Sequence, residues 1–255
     1  MEITLLGTGT SHGVPMIGCD CDVCRSQNPL NNRSRSSAYI NINDSRLLID
    51  TSPDLRMQVL REDINRVDAV LFTHAHADHI FGLDDIRTFN KLAGRSMRCY
   101  GSAHTLSVIR RVFDYAFGSI QIGGGIPQLD LQETQDVFYV DGVKITSIPV
   151  DHGRFQTLGY RIGRFAYVTD CNHIPVESSG LLEDLDLLVL GVLRPKKHTT
   201  HFSLEQGLEV VDFLKPERAV FTHTSHRMDY ESISAILPAN VELGYDGMRL
   251  TCEDS

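Results

Sequence analysis

The run His74-Ala75-His76-Ala77-Asp78-His79 sets four groups able to bind a divalent cation within six residues. In extended chain, residues two apart point to the same side, so His74 and His76 can grip one ion together. Asp78 and His79 fall where the chain turns toward a helix predicted over 81–92; they point elsewhere and can serve a second ion. Imidazoles with a few carboxylates suit zinc, iron or manganese, and ligand type alone does not choose among them. Two such metals, about 3.5–4 Å apart, generate hydroxide near neutral pH and neutralise a phosphate under attack. A softer group follows a different pattern: Cys19, Cys21 and Cys24 crowd together, with Cys99, Cys171 and Cys252 scattered. Without an export signal, that crowding favours a metal over a disulfide.

Several runs of β-branched residues end in such ligands. Residues 70–73 run into His74, 148–150 into Asp151-His152, 167–169 into Asp170 and 220–222 into His223. In layered α/β folds, ligand sites gather at strand ends, where loops converge. Strands are predicted over 3–7, 37–43, 46–50, 69–73, 143–150, 166–170, 187–191 and 219–222, with hairpin turns at Asn43-Asp44-Ser45 and Asp141-Gly142. Helical patterns cover 53–61, 81–92, 105–116, 176–182, 203–214 and 230–236. Ser203-Leu204-Glu205-Gln206 has the form of a capping box. Hairpins mixed with helical crossovers predict an α/β (α+β) arrangement of mixed sheets covered by helices. No linker, charge block or repeat divides the chain, so a single domain over 1–255 is expected.

Composition narrows the partners. The 255 residues are 42% hydrophobic and 22% charged, enough to bury a core without cross-links. A net charge of −9 argues against broad nucleic-acid or anionic-membrane binding, and leaves room for a small phosphorylated substrate held by metal ions. Residues 1–7 carry no basic leader, and the apolar run 185–193 is too short to span a bilayer, so a cytoplasmic protein is expected.

The His74–His79 run resembles the signature of the metallo-β-lactamase superfamily, a four-layer αββα sandwich with a two-metal site between its sheets. The resemblance implies His152 as third ligand of the first metal with His74 and His76, and Asp170 as a bridging carboxylate. It gives the second metal Asp78, His79 and His223. Asp50 would orient ligands from behind, and Asp78 would also accept a proton. A finer resemblance rests on Gly7-Thr8-Gly9-Thr10, Gly13-Val14-Pro15, Cys19-x-Cys21-x-x-Cys24, His226 and Gly244-Tyr245-Asp246-Gly247-Met248. These are similar to the PhnP-type phosphodiesterases, which open 5-phosphoribosyl 1,2-cyclic phosphate. That family implies two catalytic divalent metals (Zn or Mn, with Fe as a third choice) and one structural zinc on Cys19, Cys21, Cys24 and His226. Four N/S ligands leave no open position, as a structural zinc requires. With His223 and His226 three residues apart, this zinc would pin the loop bearing His223 to the loop after the first strand. His201, at a helix start, would contact the phosphate or protonate the leaving oxygen. Members of the family are often dimers, so a homodimer is an open expectation.

Weaker candidates stand beside these. Arg87, on the helix after the metal motif, reaches either a substrate phosphate or a neighbouring acid. Lys196, Lys197 and His198 form a basic approach to His201, and His12, His104 and His173 read as structural or exposed. Three rival readings share parts of the motif. A tRNA 3′-processing-like endonuclease would need a long flexible arm, for which there is no insertion. A lactone or thioester hydrolase would use the same metals on a carbonyl. A noncatalytic relative like protein B of the pyrroloquinoline quinone pathway tends to lack the complete ligand set.

Overall fold

The computed structural model describes residues 1–118 and 125–253. The first sheet takes β1 (Glu2–Gly7), β2 (Ser37–Ile42), β3 (Ser45–Ile49), β4 (Ala69–Leu71), β5 (Met97–Gly101) and β6 (Leu129–Glu133). The second takes β7 (Val137–Val140), β8 (Val143–His152), β9 (Phe155–Ile162), β10 (Phe165–Val168), β11 (Leu187–Arg194), β12 (Phe202–Ser203), β13 (Arg218–Thr222) and β14 (Val241–Leu243). The last strand, β15 (Met248–Thr251), returns to the first sheet beside β1, giving the orders β15-β1-β2-β3-β4-β5-β6 and β14-β13-β11-β10-β9-β8-β7, with β12 on β11.

Alternation along the strands assigns each face. Leu47, Ile49 and Leu71 join Tyr160, Tyr167, Val189 and Val220 in a core between the sheets. Their neighbours Leu48 and Val70 point outward, under the helices α1 (Leu55–Arg61), α3 (Ile86–Ala93) and α4 (Ala103–Val112), where they meet Leu55, Phe89 and Ile109. On the far side Leu188 and Leu190 pack beneath α6 (Leu204–Leu214) and α7 (Tyr230–Ser234). Two helices of one turn each complete the set: α2 (Ala77–Ile80) and α5 (Val176–Ser179). The product is helix, sheet, sheet, helix. Strands buried on both faces read as nearly unbroken apolar runs, as in Phe165–Val168 and Leu187–Arg194.

The helix predicted over 81–92 starts later, at Ile86, behind a separate one-turn helix and a 3-10 turn. Asp78 and His79 sit in α2, a 3-10 turn spans Leu83–Asp85, and α3 follows to a left-handed cap at Gly94. The capping box at Ser203 and Gln206 is present. The glycines after β1 serve close packing. A Cβ on Gly7 would lie 2.0 Å from the Arg35 carbonyl oxygen, and one on Gly9 would lie 2.6 Å from that of Arg33. This approach lets the Thr10 amide donate to the Thr224 carbonyl (3.1 Å) and the Thr224 amide to the Thr8 carbonyl (2.8 Å). Among the described residues no helix is long and apolar enough to cross a membrane.

Candidate metal centre

The chain reverses its backbone hand at the site. Asp50, Asp170 and His223, each just past the end of β3, β10 or β13, have φ of 59°, 49° and 56°. Non-glycine residues rarely occupy this left-handed region, and Asp does so more readily than most. Such turns cluster where function over-determines the backbone.

Two groups of donor atoms result, each gathered within 4.8 Å: His74, His76, His152 and Asp170 in one, and Asp78, His79, Asp170 and His223 in the other. Asp170 belongs to both. Its Oδ2 lies 3.8 Å from His74 Nε2, while Oδ1 lies 3.4 Å from His79 Nε2 and 3.2 Å from His223 Nε2.

The imidazoles are aimed from behind. Asp50, fully buried, accepts from the Thr73 amide (2.8 Å) and holds His79 Nδ1 at 2.7 Å. The Thr73 hydroxyl also donates to Asp50 (2.8 Å), which leaves its oxygen to accept from His74 Nδ1 at 3.0 Å. One carboxylate thus orients two rings, one of them through a hydroxyl. His152 Nδ1 donates to the Thr200 carbonyl at 2.7 Å. In each case the second ring nitrogen is left for the cluster, the arrangement by which ligand histidines are fixed. Phe155 packs its ring edge-on to His76 and His152. Of these supports only Asp50 was named from the sequence; Thr73, the Thr200 carbonyl and Phe155 carry no motif of their own.

Burial without partners tests whether ions fit. His74 Nε2, His79 Nε2 and both ring nitrogens of His223 are buried with no hydrogen bond. Orphaned buried polar atoms are rare and costly, and an ion facing them removes that cost. Burial depresses His74, with His79 adding to the effect. Burial also opposes charge on Asp78 and Asp170. The neighbouring histidines overcome it and hold both carboxyls well below their usual range. His79 is likewise disfavoured by burial, yet Asp170, Asp50 and Asp78 raise it well above an ordinary imidazole. Carboxylates already ionised among imidazoles fit divalent metals in both groups.

The cysteine group lies across the same loop. His226 Nδ1 is 3.1, 3.4 and 3.6 Å from the Sγ atoms of Cys19, Cys21 and Cys24. A tetrahedral zinc with usual Zn–S and Zn–N lengths would set S and N about 3.5 Å apart, so this set fits as well. Burial raises the Cys24 thiol to about 11, whereas a backbone hydrogen bond at Cys24 is the leading influence lowering Cys21. His223 faces the His/Asp group and His226 the thiols. Arg33, 1% exposed, braces the segment between and beyond them, donating to the carbonyls of Ser225 (3.3 Å) and Met228 (2.7 Å).

His201 also reaches the centre. Its ring stacks on that of His223 at 5.0 Å and its Nδ1 lies 4.0 Å from Asp170 Oδ2. Burial lowers it to about 3. His198 stands 5.3 Å from it, whereas Lys196 and Lys197 are exposed, their carbonyls bound by Arg194. Arg87 takes the second of its two expected roles. It pairs with Asp84 of the preceding 3-10 turn at 3.1 Å and donates to the Gly125 carbonyl at 3.4 Å.

Fold and site together define a class. Residues 45–224 match the family model of the Beta-lactamase superfamily domain, and the chain belongs to that superfamily. Within it the chain is of the PhnP type. It is 39% identical to a crystal structure of a diphosphatase of the PhnP family, with a TM-score of 0.93, covering 99% of this chain and 98% of that one. It is also similar to an octanoyltransferase of Porphyromonas gingivalis (strain ATCC BAA-308 / W83), 37% identical over 260 residues, which is all of this chain and 52% of the relative. Zinc-bound PqqB from Methylobacterium extorquens shares the fold at 19% identity, with a TM-score of 0.81 over 99% of this chain and all of that one. The chain spans about half the length of the curated relatives it matches.

Proposed function

We propose that this protein is a metal-dependent phosphodiesterase that hydrolyses a small phosphorylated substrate, with a cyclic phosphodiester such as 5-phosphoribosyl 1,2-cyclic phosphate as the leading candidate. The observation that carries the reading is Asp170, a single carboxylate shared by two donor groups in which His74 Nε2, His79 Nε2 and both ring nitrogens of His223 are buried without a hydrogen bond. His74, His76, His152 and Asp170 would hold one divalent ion, and Asp78, His79, Asp170 and His223 the other, with zinc, manganese or iron as candidates. When bound, the pair would supply charge for the phosphoryl oxygens and acidify water at neutral pH.

The chain's own groups do the rest. Asp50 and Thr73 keep the ligand rings aimed. His201, neutral at pH 7, offers a ring N–H to a phosphoryl or leaving oxygen within reach of Asp170. Asp78, held ionised by the neighbouring histidines, is suited to ligate. The octanoyltransferase name belongs to a protein about twice as long as this chain; Cys171 is fully buried here, and burial pushes its thiol well above its ordinary value.

The test is turnover of bis-p-nitrophenyl phosphate and 5-phosphoribosyl 1,2-cyclic phosphate, with and without chelator, beside a lactone panel. Chelator-sensitive release from the phosphodiesters is expected. Turnover confined to lactones would replace this reading with a carbonyl hydrolase.

A further inference from the structure

The turn between β8 and β9 carries an aromatic ring to the mouth of the metal centre. His152 ends β8 and pairs across the strands with Phe155, the first residue of β9, so Gly153 and Arg154 form the turn. This turn is tied to the loop after β10. The Asp151 amide donates to the His173 carbonyl (3.0 Å), the Asn172 amide to the Asp151 carbonyl (2.9 Å) and the Gly153 amide to Asn172 Oδ1 (2.6 Å). His173 Nδ1 adds a bond to the Asp151 carboxylate at 2.8 Å. Gly153 has a φ of 68°, and a Cβ there would lie 2.9 Å from Thr200 Cγ2, so the turn also presses on the segment before His201. Held this way, the Phe155 ring stands nearly perpendicular to two ligands, 5.3 Å from His76 at 82° and 4.9 Å from His152 at 88°. Yet 46% of Phe155 stays exposed, and His76 is exposed beside it. His201 meets the same His152 ring at 4.7 Å. A fixed apolar face and an imidazole thus flank one ligand.

A small phosphodiester brings a charged phosphoryl group and an organic group of lower polarity. Bound metals and His201 would answer the first, and small-molecule sites meet the second with an apolar wall. We propose that the exposed face of Phe155 is that wall and packs on the organic group of the diester. It sets a preference for groups with a flat apolar face, an aryl ring or the C–H face of a sugar, over small alkyl esters. The inference rests on the phosphodiesterase reading and makes Phe155 a specificity-determining residue.

The test compares two diesters with the same leaving group, phenyl p-nitrophenyl phosphate and methyl p-nitrophenyl phosphate. Wild type should favour the phenyl ester in kcat/KM. In Phe155→Ala that preference should fall about tenfold, chiefly through KM, and Phe155→Tyr should keep it. Phe155→Leu still fills the space against His76 and His152, so its metal content should match wild type. It lacks the flat face and should lose most of the preference. A preference unchanged in both the alanine and the leucine variants would overturn the proposal. Calorimetric titration of the metal-loaded protein with phenylphosphonate and methylphosphonate separates the two readings. If wild type turns over neither diester, the phosphodiesterase reading fails, and the phosphonate pair judges Phe155 alone. A preference of about tenfold for phenylphosphonate that disappears in Phe155→Ala supports the wall; the same preference in wild type and variant refutes it.

Discussion

The segment His223-Thr224-Ser225-His226 joins two ligand groups built on opposite plans. At one end, Cys19, Cys21, Cys24 and His226 are half-exposed and come from loops, and their soft, complete set leaves no position for a substrate. At the other end, nearly all the ligands are buried, strand ends and a one-turn helix supply most of them, and Asp50 and Thr73 aim them from behind. The first plan suits holding, the second chemistry. The sheets set the geometry of the His/Asp group, whereas the cysteine group can govern only the loop it ties. That loop has a second tether in the Thr8–Thr224–Thr10 backbone bridge and a third in Arg33.

If this contrast is right, the largest loss follows Asp170→Asn. Turnover should fall on the order of 10³-fold or more, because both ions lose their shared ligand. Metal analysis should show the catalytic equivalents lost and the cysteine-bound zinc kept. His201→Ala should keep all its metals and lose about 10²-fold in kcat; undiminished turnover would remove His201 from the reaction. Asp50→Asn should cost about 10–100-fold in metal affinity or activity, since it loosens His79 directly and His74 through Thr73. Metal affinity should also depend on pH. The raised His79 keeps its proton at neutral pH in the metal-free protein, which stabilises the fold below the ordinary imidazole value and is lost as pH rises through the raised one. A metal must displace that proton, so affinity should climb about tenfold per pH unit until His79 titrates, with about one proton released in calorimetry across buffers. The smallest catalytic effect belongs to Cys21→Ser. One zinc per chain should vanish and the melting temperature should drop, while kcat changes less than about tenfold; unchanged zinc content would show that the thiols hold no metal.

How much of this was legible depended on where the information lies. Mixed sheets covered by helices were readable because β4, β10 and β11 up to Leu193 are apolar and buried on both faces, while the αββα order came from the resemblance to the superfamily. The strands at 129–133, 137–140, 241–243 and 248–251 were missed because they form the edges of the two sheets, where exposure admits residues such as Asp130, Gln132 and Glu242. β5 and β9 were missed for another reason: Arg98, Arg161 and Gly159 break the pattern of strands that are nonetheless interior. Residues 119–124, by contrast, lie outside the described residues. The structure gathers every histidine, aspartate and cysteine named from the sequence as a metal ligand, since ligand chemistry is written in side-chain type. The supports could not be read the same way. A carbonyl at Thr200 has no residue signature, and Phe155 stands far from His76 in the chain until the turn between β8 and β9 brings the two rings together.

The left-handed turns at Asp50, Asp170 and His223 make the site a place where activity and robustness pull against each other. Each holds a chemically useful side chain in a backbone conformation that glycine would adopt at less strain. Variants that discard the chemistry can therefore gain in folding, and a more heat-resistant protein is no sign of a better enzyme here. Selection for stability alone would erode this site first.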